Sequence, residues 1–286
     1  VGLKPTHGRV PLTGHWPDTL LRFMHVGPMA RTVSDTVLLL SIIAGPDGRD
    51  HYAMPVEPFK NRKFDADISK LRIGWTTGAP FAPVAAEVKT VVGNAASAFA
   101  ELGCRVEEVT LDSMAEIDPV SLTTGIYAAE GGNFLEPLVV GRESELSSNM
   151  QQRMKIPAPA PKEYLAAIEN LERMRAGFAT VWDRHDIILC PVGPVPAHPH
   201  EQNPLLVDGR EVVARSALRS TIPFDLTGSP AISVPFGWSS DGMPIGVQLV
   251  GKHFAEATVL QAAAAIEAMN KTKDKHPALN GFTSAT

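Results

Sequence analysis

The strand–helix–strand unit at residues 71–111 constrains the fold more than any other part of this sequence. It begins with LRIGWTT at 71–77 and ends with CRVEEVTL at 104–111, two segments with the apolar patterns of strands. Between them, apolar residues recur at helical spacing and Gly103 closes the helix; they are Val84, Val88, Val91, Ala95, Phe99 and Leu102. Because strands joined by a crossover helix form a right-handed unit, the two strands are predicted to be parallel.

The other predicted elements extend this pair into a layered α/β architecture. AISVPFGW and MPIGVQLVG flank SSDG at residues 239–242, which is the pattern of an antiparallel hairpin. A short apolar strand is predicted at 187–189 and a helix over 256–269. An earlier helix starts at a Thr32 cap and stops before Gly45, and its apolar residues cover nearly every face, so we expect it to be buried. Helices are therefore predicted to cover a largely buried sheet.

Composition excludes several classes of function. The net charge is −5 over 286 residues, whereas a nucleic-acid surface needs clustered Lys and Arg, so no nucleic-acid partner is predicted. The longest strongly apolar run, at 37–44, is well short of the roughly 20 residues that cross a bilayer, so no membrane partner is predicted either. The two cysteines, Cys104 and Cys190, form neither a disulfide framework nor a zinc spacing, which favours a reducing, cytoplasmic location.

The residues alone supply no complete catalytic set. No G-x-S-x-G nucleophile turn, P-loop or G-x-G-x-x-G fingerprint occurs, so no cofactor is predicted. Cys190 lies in the apolar run IILCPV and is interpreted as a core residue rather than a nucleophile. His198 and His200 flank a proline in HPHE, but no third ligand is identifiable, so no metal is predicted. Asp225 either binds a polar substrate or caps a turn, and the turn is favoured.

Four blocks of sequence nevertheless resemble one known family. They are GLKPTHGRVP at 2–11, HVGPMARTVSD at 25–35, DLTGSPAISVPFG at 225–237 and GMPIGVQLVGKHFAEATVLQAAAAIE at 242–267. Their order and spacing resemble the second half of the amidase signature family. The resemblance implies an α/β fold with a mixed, twisted central sheet covered by helices on both faces. Residues 1–286 would then be the C-terminal portion of a single amidase-signature domain whose sheet is incomplete at its N-terminal side.

The resemblance also implies the chemistry: hydrolysis of carboxamide C–N bonds by a Ser–cis-Ser–Lys triad through an acyl-enzyme. In that family the lysine comes early and both serines lie in a Gly/Ser-rich segment shortly before the GLKPT block. The triad is therefore expected upstream of Val1, and Lys4 is not the catalytic lysine. Because the Gly-rich segment supplies both nucleophile and oxyanion donors, we expect this chain alone to be inactive. We also expect an open strand edge at Val1, to be covered by an N-terminal half or by a homo-oligomer partner.

By the same resemblance, Tyr127, Ile222, Phe224 and Asp225 are expected to line the pocket for a small-molecule amide. The family more often has Asn where Asp225 stands, and a carboxylate there would favour cationic or donor-rich substrates. Core packing or a turn is the alternative for each of the four residues.

Two alternative functions stay open. The chain is either a non-catalytic scaffold or binding module that lost the triad, or the A subunit of a tRNA-dependent amidotransferase. That subunit usually carries an Arg-Tyr-Asp-Gly stretch in its middle region, whereas this chain has GIYAAEGGNF at 125–134. A stand-alone amidase is therefore preferred.

Overall fold

The protein is built on a six-stranded mixed sheet. The computed structural model describes residues 1–57, 59–60, 67–200, 202–271 and 275. Within these residues, the strands of the large sheet are β1 (Gly2–Lys4), β2 (Arg72–Trp75), β3 (Arg105–Glu108), β4 (Ile187–Pro191), β7 (Ala231–Trp238) and β8 (Pro244–Gly251). A separate two-stranded sheet consists of β5 (Leu205–Val207) and β6 (Arg210–Val212). The order in the large sheet is β1-β7-β8-β4-β2-β3.

The strand directions confirm the local predictions. β2 pairs in parallel with β3, as the strand–helix–strand unit predicted, and it also pairs in parallel with β4. β7 and β8 form the predicted antiparallel hairpin, which turns through Gly242 at φ +83°. β8 also pairs antiparallel with β4, and β7 with β1. All five residues of β4 are buried, so this strand is covered on both faces.

Eight α-helices cover the sheet in the described part of the chain: α1 (Val33–Ile43), α2 (Ala86–Glu101), α3 (Pro119–Tyr127), α4 (Asn133–Val139), α5 (Ser148–Met154), α6 (Pro161–Val181), α7 (Ile222–Thr227) and α8 (Glu256–Met269). α2 and α8 pack against the sheet, while α6 packs with α3 and α7 in a second group. A single π-helical turn at Ala128–Gly132 joins α3 to α4. The α/β fold class predicted above is confirmed.

Cys190 lies in the core, as predicted. It sits in β4 with no exposed surface, and burial raises the pKa of its thiol to about 12. Such a thiol stays protonated at neutral pH, which argues against a nucleophilic role.

Helix α1 differs from its prediction. Thr32 caps its start as expected, accepting a hydrogen bond from the Asp35 amide. Only one face packs inward, and it consists of Val33, Thr36, Val37 and Leu40. The other face leaves three large apolar side chains exposed: Leu38, Leu39 and Ile42, the last at 70%. An apolar sequence over nearly every face of a helix does not by itself provide a partner for each face.

The outer edge of β1 also differs from its prediction. The Leu3 amide donates to the Pro28 carbonyl and the Ala30 amide donates to the Val1 carbonyl, both at 3.0 Å. The segment that follows His25 therefore pairs with β1 on the side away from β7, and β1 is not an open edge over these residues. Among the helices that the structure describes, none combines the length and apolar character of a membrane span.

Candidate functional site

Three titratable side chains come together where β1 ends. Lys4 is the last residue of β1, His25 lies in the loop before α1, and Asp225 lies within α7 rather than in a turn. The His25 Nδ1 atom lies 3.5 Å from Asp225 Oδ1, and the positive charge of Lys4 acts on both residues. Each of these three residues belongs to a different one of the four family-like blocks, so the fold brings three distant segments of the sequence together at this point.

His25 carries a buried ring nitrogen that is free to accept a hydrogen bond. Its side chain is only 5% exposed, and Nδ1 lies 3.1 Å from the Phe23 carbonyl. Because a carbonyl only accepts, Nδ1 carries the hydrogen and Nε2 has the lone pair. Nε2 has no partner among the residues that the structure describes. Burial, followed by the charges of Lys4 and His7, lowers the pKa of His25 to about 2, so the ring is neutral at physiological pH.

The pKa values of Lys4 and Asp225 are both shifted toward neutral pH. Burial lowers the pKa of Lys4 to about 8, although the negative charges of Asp225 and Glu256 oppose this shift. Burial raises the pKa of Asp225 to about 6, and the positive charge of Lys4 opposes that shift. The Lys4 ammonium donates to the Pro5 carbonyl at 3.0 Å. Two neighbouring groups with these pKa values gain and lose protons near the pH of the cell.

Protonation of His25 gives the protein a testable pH dependence. Between pH 7 and pH 5 the unfolded state takes up a proton at His25 and the folded state does not, so stability falls as pH falls. Over that range the protein is expected to lose about 2 kcal/mol more than a His25→Gln variant. Urea unfolding at both pH values measures the difference. The exposed His51→Gln variant is the control, and an equal loss in wild type and His25→Gln would contradict the assignment.

Glu256 fixes the loop that follows β1. This first residue of α8 has no exposed surface; Oε1 accepts from the Thr6 amide at 2.9 Å and Oε2 pairs with Arg9 at 3.0 Å. The Arg9 guanidinium also lies over the Phe254 ring, 5.0 Å from its centroid. The Phe254 amide donates to the Thr6 hydroxyl at 2.8 Å. These contacts hold the loop at 5–9 against the start of α8 and so position Lys4.

A second feature of the site is a cavity of about 470 Å³ that has Tyr127 on its wall. We call it the Tyr127 cavity; its wall is mainly apolar and includes Met24, the sequence neighbour of His25, and Met150 of α5. Tyr127 links this cavity electrostatically to Asp225, because the negative charge of Asp225 adds to burial in raising the pKa of the phenol. Arg153 and Arg215 supply the charge on the wall. An apolar cavity with a few polar groups beside perturbed titratable residues is typical of a small-molecule site.

Comparison with known proteins decides the family. A family model described as Amidase matches residues 1–260. The chain belongs to the amidase signature family. The A subunit of the glutamyl-tRNA(Gln) amidotransferase of Streptococcus sanguinis is 31% identical over 98% of this chain and 61% of its own length. An acylamidase of Rhodococcus erythropolis is 29% identical over 97% of this chain and 59% of its own length.

Solved structures place this amidase signature chain in the same fold. The structure of 6-aminohexanoate cyclic dimer hydrolase complexed with substrate superposes with a TM-score of 0.78 at 26% identity, covering 96% of this chain and 61% of that one. A bacterial aryl acylamidase of the amidase signature family superposes at 0.77 with 22% identity, covering 96% and 60%. This chain spans about three fifths of the length of the curated relatives that it matches.

The four residues expected to line the substrate pocket lie in different surroundings in the structure. Tyr127 lies on the wall of the Tyr127 cavity. Asp225 lies beside His25 and is half-buried. Phe224 is fully buried and packs its ring against Phe178, and Ile222 is also buried. For all four, contact with substrate stays a prediction.

Sequence reasoning missed four residues of the site. The sequence pattern assigns no role to His25, although it opens the HVGPMARTVSD block, and Glu256 lies inside the last family-like block. Those positions in motifs were the available signals. Arg153 and Arg215 lie in the variable middle of the sequence, where no pattern marks them. Among the residues that the structure describes, no group of three or more His, Cys, Asp or Glu side chains is placed to hold a metal; the Glu201 of HPHE lies outside those residues.

Proposed function

We propose that this chain is the substrate-facing part of an amidohydrolase that cleaves carboxamide C–N bonds. One observation carries the proposal: a chain of the amidase signature family has a mainly apolar cavity whose wall includes Met24, the residue before His25, and the buried Nε2 atom of His25 has no described hydrogen-bond donor. The apolar wall suits an acyl chain, and His25 Nε2 suits an N–H or O–H group. The similarity to an acylamidase and to an aminohexanoate dimer hydrolase supports amide cleavage as the reaction class.

We infer that the triad lies outside these 286 residues. In this family a serine attacks the amide carbonyl carbon, the C–N bond breaks, the amine leaves with a proton, and water hydrolyses the acyl-enzyme. The chain contains no segment that matches the family's Gly/Ser-rich block before GLKPT. Its own residues then bind and orient the acyl group, while nucleophile and oxyanion donors come from elsewhere. Residues 1–286 alone are accordingly expected to hydrolyse no amide.

The test is an assay of two proteins. One is the chain of residues 1–286, and the other is the product of the reading frame that extends upstream of Val1. Ammonia release from aliphatic and aryl primary amides is measured for both. Turnover by the longer protein alone is expected. Comparable turnover by the 286-residue chain would contradict the placing of the triad, and no turnover by either would favour the non-catalytic binding module.

The A subunit of a tRNA-dependent amidotransferase is the second candidate, favoured by relatives of that name at 28–31% identity. The stretch GIYAAEGGNF counts against it, because it lacks the Arg-Tyr-Asp-Gly pattern. Its one acid, Glu130, is held by Arg22 at 2.7 Å and by the Tyr164 hydroxyl at 2.8 Å. Glutamine hydrolysis by the longer protein, faster than hydrolysis of simple amides, would favour the amidotransferase.

The partners proposed here follow from this function. They are a small-molecule amide and either an N-terminal half in the same protein or a second copy of the chain, with no nucleic acid and no membrane. A cytoplasmic location, favoured by the two isolated cysteines, stays a prediction.

A further inference from the structure

Two arginines reach the Tyr127 cavity without an acidic partner. The Arg153 guanidinium lies over the Tyr127 ring, 5.1 Å from its centroid. Arg215 is half-buried, and its Nε–H has neither solvent access nor an acceptor among the described residues. Neither arginine forms an ion pair within the described part of the chain. The described wall of this cavity contains no Asp or Glu, so its charge is positive.

Neighbouring arginines, by contrast, have acidic partners. Arg22 pairs with Glu130, and Arg219, four residues after Arg215, pairs with Asp118 at 2.8 Å. Burial and the positive charge of Arg153 both lower the pKa of Arg215, so the two cations destabilise each other. An anion bound between them would relieve both that repulsion and the unpaired Nε–H.

We propose that the Tyr127 cavity binds an acyl chain that ends in a carboxylate, held by Arg215 and Arg153, so that the enzyme hydrolyses monoamides of aliphatic dicarboxylic acids. This inference rests on the proposed amidohydrolase function. The apolar wall contacts the methylene chain, and the planar guanidinium of Arg215 presents paired N–H donors that match a carboxylate. Arg153, at the more exposed position, adds attraction for the anion.

The expectation that Asp225 favours cationic substrates stays a prediction, and the present proposal uses a different charge. Asp225 is not on the described wall of the Tyr127 cavity, and its charge faces His25 and Lys4. The charge that reaches the wall belongs to Arg153 and Arg215. The preferred acyl chain is therefore anionic rather than cationic.

The test compares matched amides with the longer protein described above. Glutaramate and adipamate carry a terminal carboxylate, and valeramide and hexanamide are their neutral counterparts. The wild-type enzyme is expected to prefer the anionic pair. Arg215→Gln is expected to lower kcat/KM for the anionic amides about 10- to 100-fold more than for the neutral amides. Arg173→Gln, which removes an exposed charge on α6, is the control and should change neither pair.

Two results would overturn the inference: a wild-type preference for neutral amides, or an equal loss for both pairs in Arg215→Gln. Calorimetric binding of glutarate and adipate separates this inference from the proposed function. If no amide is hydrolysed, the amidohydrolase proposal fails. Dicarboxylate binding that is lost in Arg215→Gln would still support an anion site in the Tyr127 cavity, and the absence of such binding to the wild-type protein would contradict it.

Discussion

Replacing Glu256 with alanine is expected to lower the free energy of unfolding by about 3–5 kcal/mol, because it leaves the buried Arg9 guanidinium without its counter-charge. The Arg9 side chain is 8% exposed and that of Glu256 is fully buried, so water cannot replace the lost carboxylate. The Thr6 amide loses its acceptor in the same change. The loop at 5–9 is then released from α8, and Lys4 loses its fixed position.

Chemical denaturation of the protein and of the Glu256→Ala variant measures the effect. Glu145→Ala is the matched control, since it breaks an ion pair with Arg142 in which both side chains are mostly exposed. That control is expected to cost at most about 1 kcal/mol. If the two variants lose the same stability, the Glu256–Arg9 pair does not hold the loop against α8.

Gly27→Ala is expected to destabilise the protein by about 3 kcal/mol or more, because the added methyl group has no space. A Cβ atom at Gly27 would overlap the Leu3 carbonyl oxygen and would lie 2.8 Å from Pro5 Cδ. Leu3 cannot withdraw, since its strand is paired with β7 on one side and with the Pro28 carbonyl on the other. The substitution therefore separates β1 from the loop that carries His25.

The same substitution elsewhere supplies the control. Gly93, inside α2, has open space around the position of a Cβ atom, so Gly93→Ala is expected to stabilise the protein by about 0.5–1 kcal/mol. Thermal unfolding of both variants measures the contrast. A Gly27→Ala variant as stable as the wild-type protein would show that β1 and this loop are not in close contact.

The sequence patterns predicted the helices and turns whose structure depends mainly on neighbouring residues in the chain. The helical spacing from Val84 to Leu102 and the Asp-Gly turn at 241–242 each depend on neighbouring residues, and both predictions are confirmed. The exposed face of α1 was not predicted, because periodicity identifies apolar faces without showing which of them meets a partner. The pairing of β1 with residues 28–30 depends on tertiary contact, which the sequence pattern does not contain.

The site was less predictable than the fold for the same reason. Tyr127 was placed near the substrate by family resemblance, and the structure places it on a cavity wall. Arg153 and Arg215 come from segments about 60 residues apart that carry no motif, so only the folded chain shows that they share the cavity. The unpartnered nitrogen of His25 follows from a hydrogen bond to Phe23, a detail of geometry that no spacing of residue types reveals.

The most direct measurement of the central claim is active-site labelling with a fluorophosphonate, followed by peptide mass spectrometry to locate the modified residue. The protein translated from the extended reading frame and residues 1–286 are labelled side by side. One labelled serine is expected in the longer protein, upstream of Val1, and no labelling is expected in residues 1–286. Stoichiometric labelling of a serine within residues 1–286 would contradict it.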